Sequence, residues 1–458
     1  MIVMKFGGTS VQDAAAIANA VEIVSSRLDR APIVVVSAMA RVTDMLIRVS
    51  RAAKESRFDE ALAMIEQIRE RHWATARQLL EGLDSLEAAE RAIEKLAEEL
   101  MALARSASTL GELTPRTQDA IVSFGERLSS VIVAAAMRAR AINAELVDSR
   151  DFIITDDRFT KAAPLMEAIA QRARDVIMPL IDTGRVPVAQ GFIGSTADGL
   201  TTTIGRGGSD YTAALIGAAL GAEAIQIWTD VDGLMTADPR IVPGAHRIRV
   251  ISFAEASELS YFGAKVLHPS TVLPAVERGI PVQIYNTLNP ACEGTLIVEE
   301  PRPSENVIKS IAFKRGVTIV NVNSTRMLLA FGFLRTIFEV FDRHQTSVDV
   351  VTTSEVSVSM TLDDTEQLDA IRRDLSGIGD VTVERNKAIV CVVGDNLKFT
   401  PGVAARLFQA IENTNVNMIS QGASEINLTF VIDDADVDRV VGLLHDQFLR
   451  EVDSSVFD

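Results

Sequence analysis

The chain has 458 residues and carries 45 Lys and Arg against 62 Asp and Glu, a formal net charge of −17. That charge repels phosphate backbones and anionic lipid, which argues against sequence-independent nucleic-acid binding and against a membrane surface as partner; any anionic ligand must find local positive charge. Apolar residues make up 47% and charged residues 23%, so the chain reads as globular, and its length predicts two or three domains.

The N-terminal run Met1-Ile2-Val3-Met4-Lys5-Phe6-Gly7-Gly8 reads as a first strand and lacks the apolar core of a signal peptide. The longest later apolar run, residues 131–137, is far short of a membrane span. A soluble, cytoplasmic protein is expected. Cys292 and Cys391, without a neighbouring His/Cys cluster, read as buried small hydrophobes in a reducing compartment.

Up to about residue 298, β-branched runs alternate with helical patterns. Ile33-Val34-Val35-Val36, Pro187-Val188-Ala189, Ala224-Ile225-Gln226-Ile227-Trp228 and Pro281-Val282-Gln283-Ile284-Tyr285 follow the first run in order. Apolar strands separated by helices predict an α/β domain with a mostly parallel sheet covered on both faces. Residues 54–105 show only helical spacing, with Ile65, Ile68, Leu79, Leu80, Leu83 and Leu86 as a core stripe. Glu299-Glu300-Pro301-Arg302-Pro303-Ser304-Glu305-Asn306 reads as a linker (299–306) after a first domain at 1–298.

Beyond the linker the pattern shortens. It predicts a strand at 317–322, a helix at 333–344, strands at 348–351 and 356–362, a helix at 365–375 and a strand at 381–384; the order restarts at 388–393 with a helix from Pro401. The phrase Ser354-Glu355-Val356 through Asp363-Asp364 recurs 70 residues later as Ser424-Glu425-Ile426 through Asp433-Asp434. Two ferredoxin-like βαββαβ modules are predicted, at 317–384 and 385–458, the second completed by the segment 307–316 with its apolar strand at 309–313.

Four motifs carry chemistry. Met4-Lys5-Phe6-Gly7-Gly8-Thr9-Ser10-Val11 places a lysine and two glycines at the carboxyl end of the first strand, where a buried ammonium needs an anion and glycines let backbone approach a ligand. Thr201-Thr202-Thr203-Ile204-Gly205-Arg206-Gly207-Gly208-Ser209-Asp210-Tyr211 sets a guanidinium among exposed backbone donors, suited to a carboxylate or phosphate. Asp210 is there either a helix N-cap or the partner of Lys5 or of a metal-bound phosphate. Ser123-Phe124-Gly125-Glu126 and Trp228-Thr229-Asp230-Val231-Asp232-Gly233 complete the set: Glu126 is a helix-dipole partner or an ammonium receptor, and Asp230 lies at the carboxyl edge of a strand. Calcium is not expected at Asp230-x-Asp232, because the remaining loop ligands are missing. His72, His246, His268, His344 and His445 lack ligand or catalytic spacing, and no resident metal site is expected. Phosphoryl transfer to a carboxylate needs no general base, since the nucleophile is already ionised.

At these residues the sequence closely resembles the aspartokinases of the monofunctional, lysine-sensitive type. The motifs above match in order, together with Gly191-Phe192-Ile193-Gly194, Asp238-Pro239-Arg240 and Phe262-Gly263-Ala264-Lys265-Val266-Leu267-His268-Pro269, over essentially the whole chain. The resemblance implies an amino-acid-kinase-like sheet domain followed by tandem ACT modules. It implies ATP- and Mg²⁺-dependent phosphorylation of the L-aspartate side-chain carboxylate, the first step toward lysine, threonine and methionine. It further implies Lys5 and Asp210 as catalytic residues, with Lys5 on the transferring phosphoryl. Ser37, Thr43, Glu126, Arg206 and Ser209 would bind aspartate, and Lys5, Gly7, Gly8, Thr229, Asp230, Arg240 and Lys265 the nucleotide. Lys5, Arg206, Arg240 and Lys265 are expected in one cleft. Met235 stands where many relatives carry Tyr, leaving an aromatic nucleotide contact open, and no fused second activity is expected.

The alternatives are another amino-acid kinase of the same fold and a catalytically silent amino-acid sensor. For regulation, the resemblance implies L-lysine at Met327, Phe333, Leu334, Ser347, Val348, Asp349, Ser354 and Glu355, with Asp349 taking an effector ammonium. Ala330 and Phe331 depart from the Ser and Arg of many relatives. A homodimer or higher homo-oligomer is expected, joined through the regulatory halves.

Overall fold

The computed structural model describes every residue except 84, 206, 264–266, 268–270, 302–303 and 328–330. Arg206, Lys265 and Ala330 therefore lie outside the described residues. The chain falls into two compact units: Met1–Leu234 with Arg249–Phe253 and Val266–Pro301, and Met235–Ile248 with Ala254–Lys265 and Arg302–Asp458.

The first unit is built on an eight-stranded sheet. Its strands are β1 (Ile2–Phe6), β2 (Pro32–Val36), β3 (Ala144–Val147), β5 (Val186–Gln190), β8 (Ala224–Thr229), β9 (Val250–Ser252), β10 (Val282–Asn286) and β11 (Thr295–Val298); β4 (Ile154–Thr155), β6 (Ile193–Thr196) and β7 (Thr201–Thr203) form a separate small sheet. The main order is β3-β5-β2-β1-β8-β10-β11-β9, with every pair parallel except β10–β11. From β1 the order runs to β2 on one side and to β8 on the other. The carboxyl end of β1 is thus a topological switch point, where open α/β sheets take their ligands.

The helices of this unit are α1 (Ala14–Ser25), α2 (Val42–Lys54), α3 (Phe58–Leu80), α4 (Ser85–Leu110), α5 (Pro115–Val122), α6 (Phe124–Ala139), α7 (Met166–Asp182) and α8 (Gly208–Leu220), with Phe253 opening α9 (Phe253–Tyr261) and Leu273–Val276 forming the short α10. Alternation along β1 assigns its faces. Ile2, Met4 and Phe6 join one core with residues of α1 and α6, which leaves Lys5 on the other face, that of α8. The helical stripe of residues 54–105 holds in Ile65, Ile68 and Leu80, all buried; Leu83 is instead exposed, because it sits in the turn between α3 and α4. Pro115–Ala139 is apolar and long enough to cross a membrane, but its most apolar stretch is 83% buried, as in a core helix of a globular domain.

The second unit carries a six-stranded sheet of order β13-β14-β12-β15-β17-β16, formed by β12 (Ile308–Asn323), β13 (Val351–Thr353), β14 (Ser357–Leu362), β15 (Asp380–Gly394), β16 (Met418–Gln421) and β17 (Asn427–Asp433). Helices α11 (Phe333–Arg343) and α12 (Leu368–Leu375) belong to its first half, α13 (Val403–Ala410) and α14 (Val437–Phe448) to its second. Separate strands were expected at 309–313 and 317–322, and again at 381–384 and 388–393. Each pair is one long strand, because a left-handed residue, Gly316 or Asn386, kinks the ladder without ending it. Ile308–Lys314 pairs with the Ile389–Gly394 end of β15, so the strand ahead of the first module lies in the sheet of the second. A single cut at 298 also misses two pieces: Met235–Ile248 and Ala254–Lys265 pack in the second unit. They read as kinase-domain segments in sequence because the contacts that hold them are long-range.

One such contact is an ion pair. Lys309 on β12 meets Glu255 on α9 at 2.8 Å, with side chains 1% and 2% exposed. Removing one partner strands a buried charge. Lys309→Met alone is expected to cost about 3–5 kcal/mol of stability, read as a fall in melting temperature, whereas Lys309→Met with Glu255→Leu recovers most of it.

Candidate active site

The site forms where β1, β2 and α8 converge. Lys5 Nζ lies 2.6 Å from Asp210 Oδ1, with side chains 11% and 12% exposed. Asp210 is not the N-cap; Gly207 in the left-handed conformation takes that position and Asp210 falls in the first turn of α8. The turn after β1 is tight: Gly7 N–H donates to the Trp228 carbonyl at 3.0 Å, and Ala40 N–H donates to the Gly8 carbonyl at 3.1 Å. A Cβ at Gly8 would stand 3.0 Å from the Ala38 carbonyl oxygen, so a side chain there presses on the neighbouring loop. Gly191 is required for a similar reason, since its Cβ would stand 2.5 Å from that of Ser209.

A cavity of about 590 Å³ opens at this point. Ser37, Thr43, Glu126, Ser209 and Asp210 line it with Gly8 and the glycines that start α8. Glu126, in the first turn of α6, is buried; one carboxylate oxygen accepts the Ala38 N–H at 3.2 Å and the other, Oε2, has no hydrogen-bond partner among the described residues. Burial pushes its carboxyl up to about 8, against the pull of the Ala38 N–H. Ser129 holds the loop from behind, its hydroxyl donating to the Ser37 carbonyl at 2.8 Å.

Two residues that no motif singled out belong to this architecture. Arg71 on α3 donates to the carbonyls of Ala40 at 2.7 Å and Gln12 at 2.8 Å, tying together the loops that follow β2 and β1. Asp119 on α5, buried in the cavity wall, accepts the N–H groups of Thr160 and Thr203 and the Thr203 hydroxyl. Burial raises its pKa more than these bonds lower it. Both look in sequence like ordinary helix-surface charges, and only the return of distant loops gives them partners.

The expected nucleotide residues are only partly gathered. Thr229 ends β8, its hydroxyl 3.2 Å from Asp230, and the Trp228 ring beside them stacks on Tyr285 at 4.7 Å. Asp232 accepts the side-chain amides of Asn286 and Asn289 instead of joining a cation loop. Of the four cations expected in one cleft, Lys5 alone is described in the first unit. Arg240 belongs to the second unit, is 87% exposed and forks onto Asp238, which holds that carboxyl below its usual range. Among the described residues no group of three or more His, Cys, Asp and Glu is placed to hold a metal. Cys391 is buried, which pushes its thiol up to about 12; Cys292 is only half-buried, because it lies in the open loop after β10.

In the second unit the positions expected for an effector cluster around α11 and the β13–β14 hairpin. Met327 and Phe333 pack against the module core, Leu334, Ser347 and Glu355 are exposed, and Val348 is half-buried. Ser354 closes the hairpin on Ser357 at 2.6 Å. Asp349 already has partners in the chain: Tyr261 donates to Oδ1 at 2.5 Å and Lys314 Nζ lies 3.1 Å from Oδ2.

Comparison with known proteins agrees with this architecture. Residues 1–286 match the amino acid kinase family and residues 390–448 the ACT domain. The chain is 39% identical to lysine-sensitive aspartokinase 3 of Escherichia coli over 97% of this chain and 98% of that protein. It is 37% identical to the chloroplastic aspartokinase 2 of Arabidopsis thaliana over 98% of this chain and 84% of that one. Two crystal structures of E. coli aspartokinase III, one with aspartate and ADP and one with lysine and aspartate, superpose with a TM-score of 0.85 at 38% identity, covering 98% of this chain and 100% of theirs. By sequence and by fold, the chain belongs to the aspartokinase family.

Proposed function

We propose that this aspartate kinase carries out phosphoryl transfer from ATP to the side-chain carboxylate of L-aspartate, giving 4-phospho-L-aspartate, in the cavity of its first unit. The observation that carries this reading is that Asp210, paired with Lys5, lines the same cavity as Glu126, whose Oε2 has no partner among the described residues. The nucleophile is a carboxylate, so the protein has only to position it and to neutralise charge on the transferring group. Lys5 supplies that charge, and Asp210 fixes where its ammonium stands. The start of α8 and the Gly8 end of the turn after β1 offer backbone N–H groups to phosphate oxygens. Thr229 and Asp230 bound the nucleotide side, and Mg²⁺ arrives with the substrate as MgATP.

Glu126 takes the α-ammonium of aspartate, because a buried carboxylate oxygen without a donor is satisfied by a cation. Ser37, Thr43 and Ser209 flank it. Arg206 for the α-carboxylate, Arg240 and Lys265 for the nucleotide stay as the family resemblance implies. Lysine is the proposed effector, taken by the second unit at Asp349 and its neighbours, with inhibition by population shift between two states of unequal lysine affinity. Joining of subunits through the regulatory halves belongs to the same reading.

Coupled ADP release with aspartate, glutamate and N-acetylglutamate tests the substrate. Turnover is expected with aspartate, and preference for glutamate would overturn the reading. Lys5→Ala should lower kcat by about a hundredfold or more in protein that is still folded, checked by circular dichroism at the assay temperature.

The ionisation of Glu126 gives a second prediction. Its raised carboxyl is mostly protonated at neutral pH, whereas the substrate ammonium selects the ionised form, so aspartate binding releases a proton below about 8. KM for aspartate is expected to fall as pH rises from about 6.5 to about 8.5, with proton release visible by calorimetry in buffers of different ionisation heat. By linkage, Glu126 contributes to the unliganded fold fully below 4.5 and loses that contribution as pH rises through about 8. Aspartate should therefore protect the fold most at alkaline pH. Glu126→Gln should flatten the KM profile and raise KM by about 30-fold or more.

Arg71 acts as a positioning residue for both loops. Arg71→Ala is expected to lower kcat/KM for aspartate by about tenfold, the scale of a lost charge-assisted hydrogen bond. Free guanidinium in the assay should restore part of it, which a general loss of stability would not allow.

A further inference from the structure

We propose that Lys314 is an internal competitor for the effector: its ammonium occupies the Asp349 carboxylate that the ammonium of a free amino acid must take, and so sets the concentration at which the effector acts. The proposal rests on the reading of Asp349 as the effector's ammonium partner.

The Asp349 side chain is 2% exposed, and a carboxylate that deep is costly to bury without a cation and donors beside it. Both of its oxygens are engaged, Oδ1 by the Tyr261 hydroxyl at 2.5 Å and Oδ2 by Lys314 at 3.1 Å. An amino-acid ammonium arriving with Lys314 in place would bring a second positive charge against the first. Binding is therefore an exchange. The geometry provides for the displaced lysine, because Lys314 Nζ also lies 2.7 Å from Asp363 Oδ2, and Asp363 is 41% exposed. Lys314 can give up Asp349 and stay paired at the rim. It stands over the Tyr261 ring as well, 5.2 Å from the centroid, so the same tyrosine contacts both the resident ammonium and the contested carboxylate.

Competition makes the two lysine partners act with opposite sign. Without Lys314 the carboxylate waits for the effector, and affinity rises by the fraction of the site that had been self-occupied. Without Asp363 the lysine has only Asp349, and the effector must work harder to displace it. A purely structural cluster would lose effector response in both cases.

The test measures L-lysine inhibition of the full-length enzyme, each variant normalised to its own uninhibited rate, with L-lysine binding by calorimetry in parallel. Lys314→Met should lower the inhibitory lysine concentration by about tenfold, and Asp363→Asn should raise it by about threefold. Unchanged or weakened inhibition in Lys314→Met overturns the proposal, as does a shift of both variants in the same direction. If Lys314→Met does not fold, the sign of the surface variant Asp363→Asn decides alone. Failure of L-lysine to bind or inhibit the unmodified enzyme overturns the effector reading itself, which separates that outcome from failure of the competition.

Discussion

The active site depends on one charge pair held at the end of one strand. Lys5 leaves β1 on the face opposite its apolar residues and meets Asp210, delivered by a helix that begins some two hundred positions later. A chain of net charge −17 that handles a dicarboxylate and a triphosphate must concentrate its few cations where they are needed. Burial of Lys5 is costly without a counter-charge, and Asp210 supplies one. The glycines on either side keep the backbone close, since a Cβ at Gly8 would press on the Ala38 carbonyl oxygen and one at Gly191 on Ser209.

The second unit applies related chemistry to regulation. Lys309–Glu255 and Lys314–Asp349 both run from the long strand β12 to a carboxylate, and α9 contributes Glu255 to the first pair and Tyr261 to the second cluster. Helix α9 is thereby fastened to the regulatory sheet by a fully buried ion pair and by a polar cluster at a proposed ligand site. The first is fixed, both of its side chains being almost wholly buried. The second is exchangeable, because Asp363 offers Lys314 another place to go. That difference is what separates a structural tie from a ligand-responsive one.

Much of this was legible in the sequence, where the signal is local. Apolar runs such as Ile33-Val34-Val35-Val36 can only be strands covered on both faces, and the parallel sheet follows. The glycine turns after β1 and before α8 announce close backbone approach, and the 70-residue recurrence of Ser-Glu-Val/Ile announces paired modules. Lys5, Asp210, Ser37, Thr43, Glu126 and Ser209 sit on or beside those signals; all but Lys5 line one cavity, and Lys5 is paired with Asp210.

The tertiary structure alone decided everything that depends on residues distant in the chain. Arg71 and Asp119 carry no motif; they matter because loops near residues 12, 40, 160 and 203 return to them. The strands at 309–313 and 317–322 fuse into β12 because sheet pairing carries the ladder across Gly316, which a sequence pattern treats as a break. Residues 235–248 and 254–265 follow the kinase pattern in order yet pack with the regulatory sheet, since what places a segment is the surface that covers it. In sequence Asp349 gets an ammonium partner only through the family resemblance; the folded chain shows that Lys314 already supplies one.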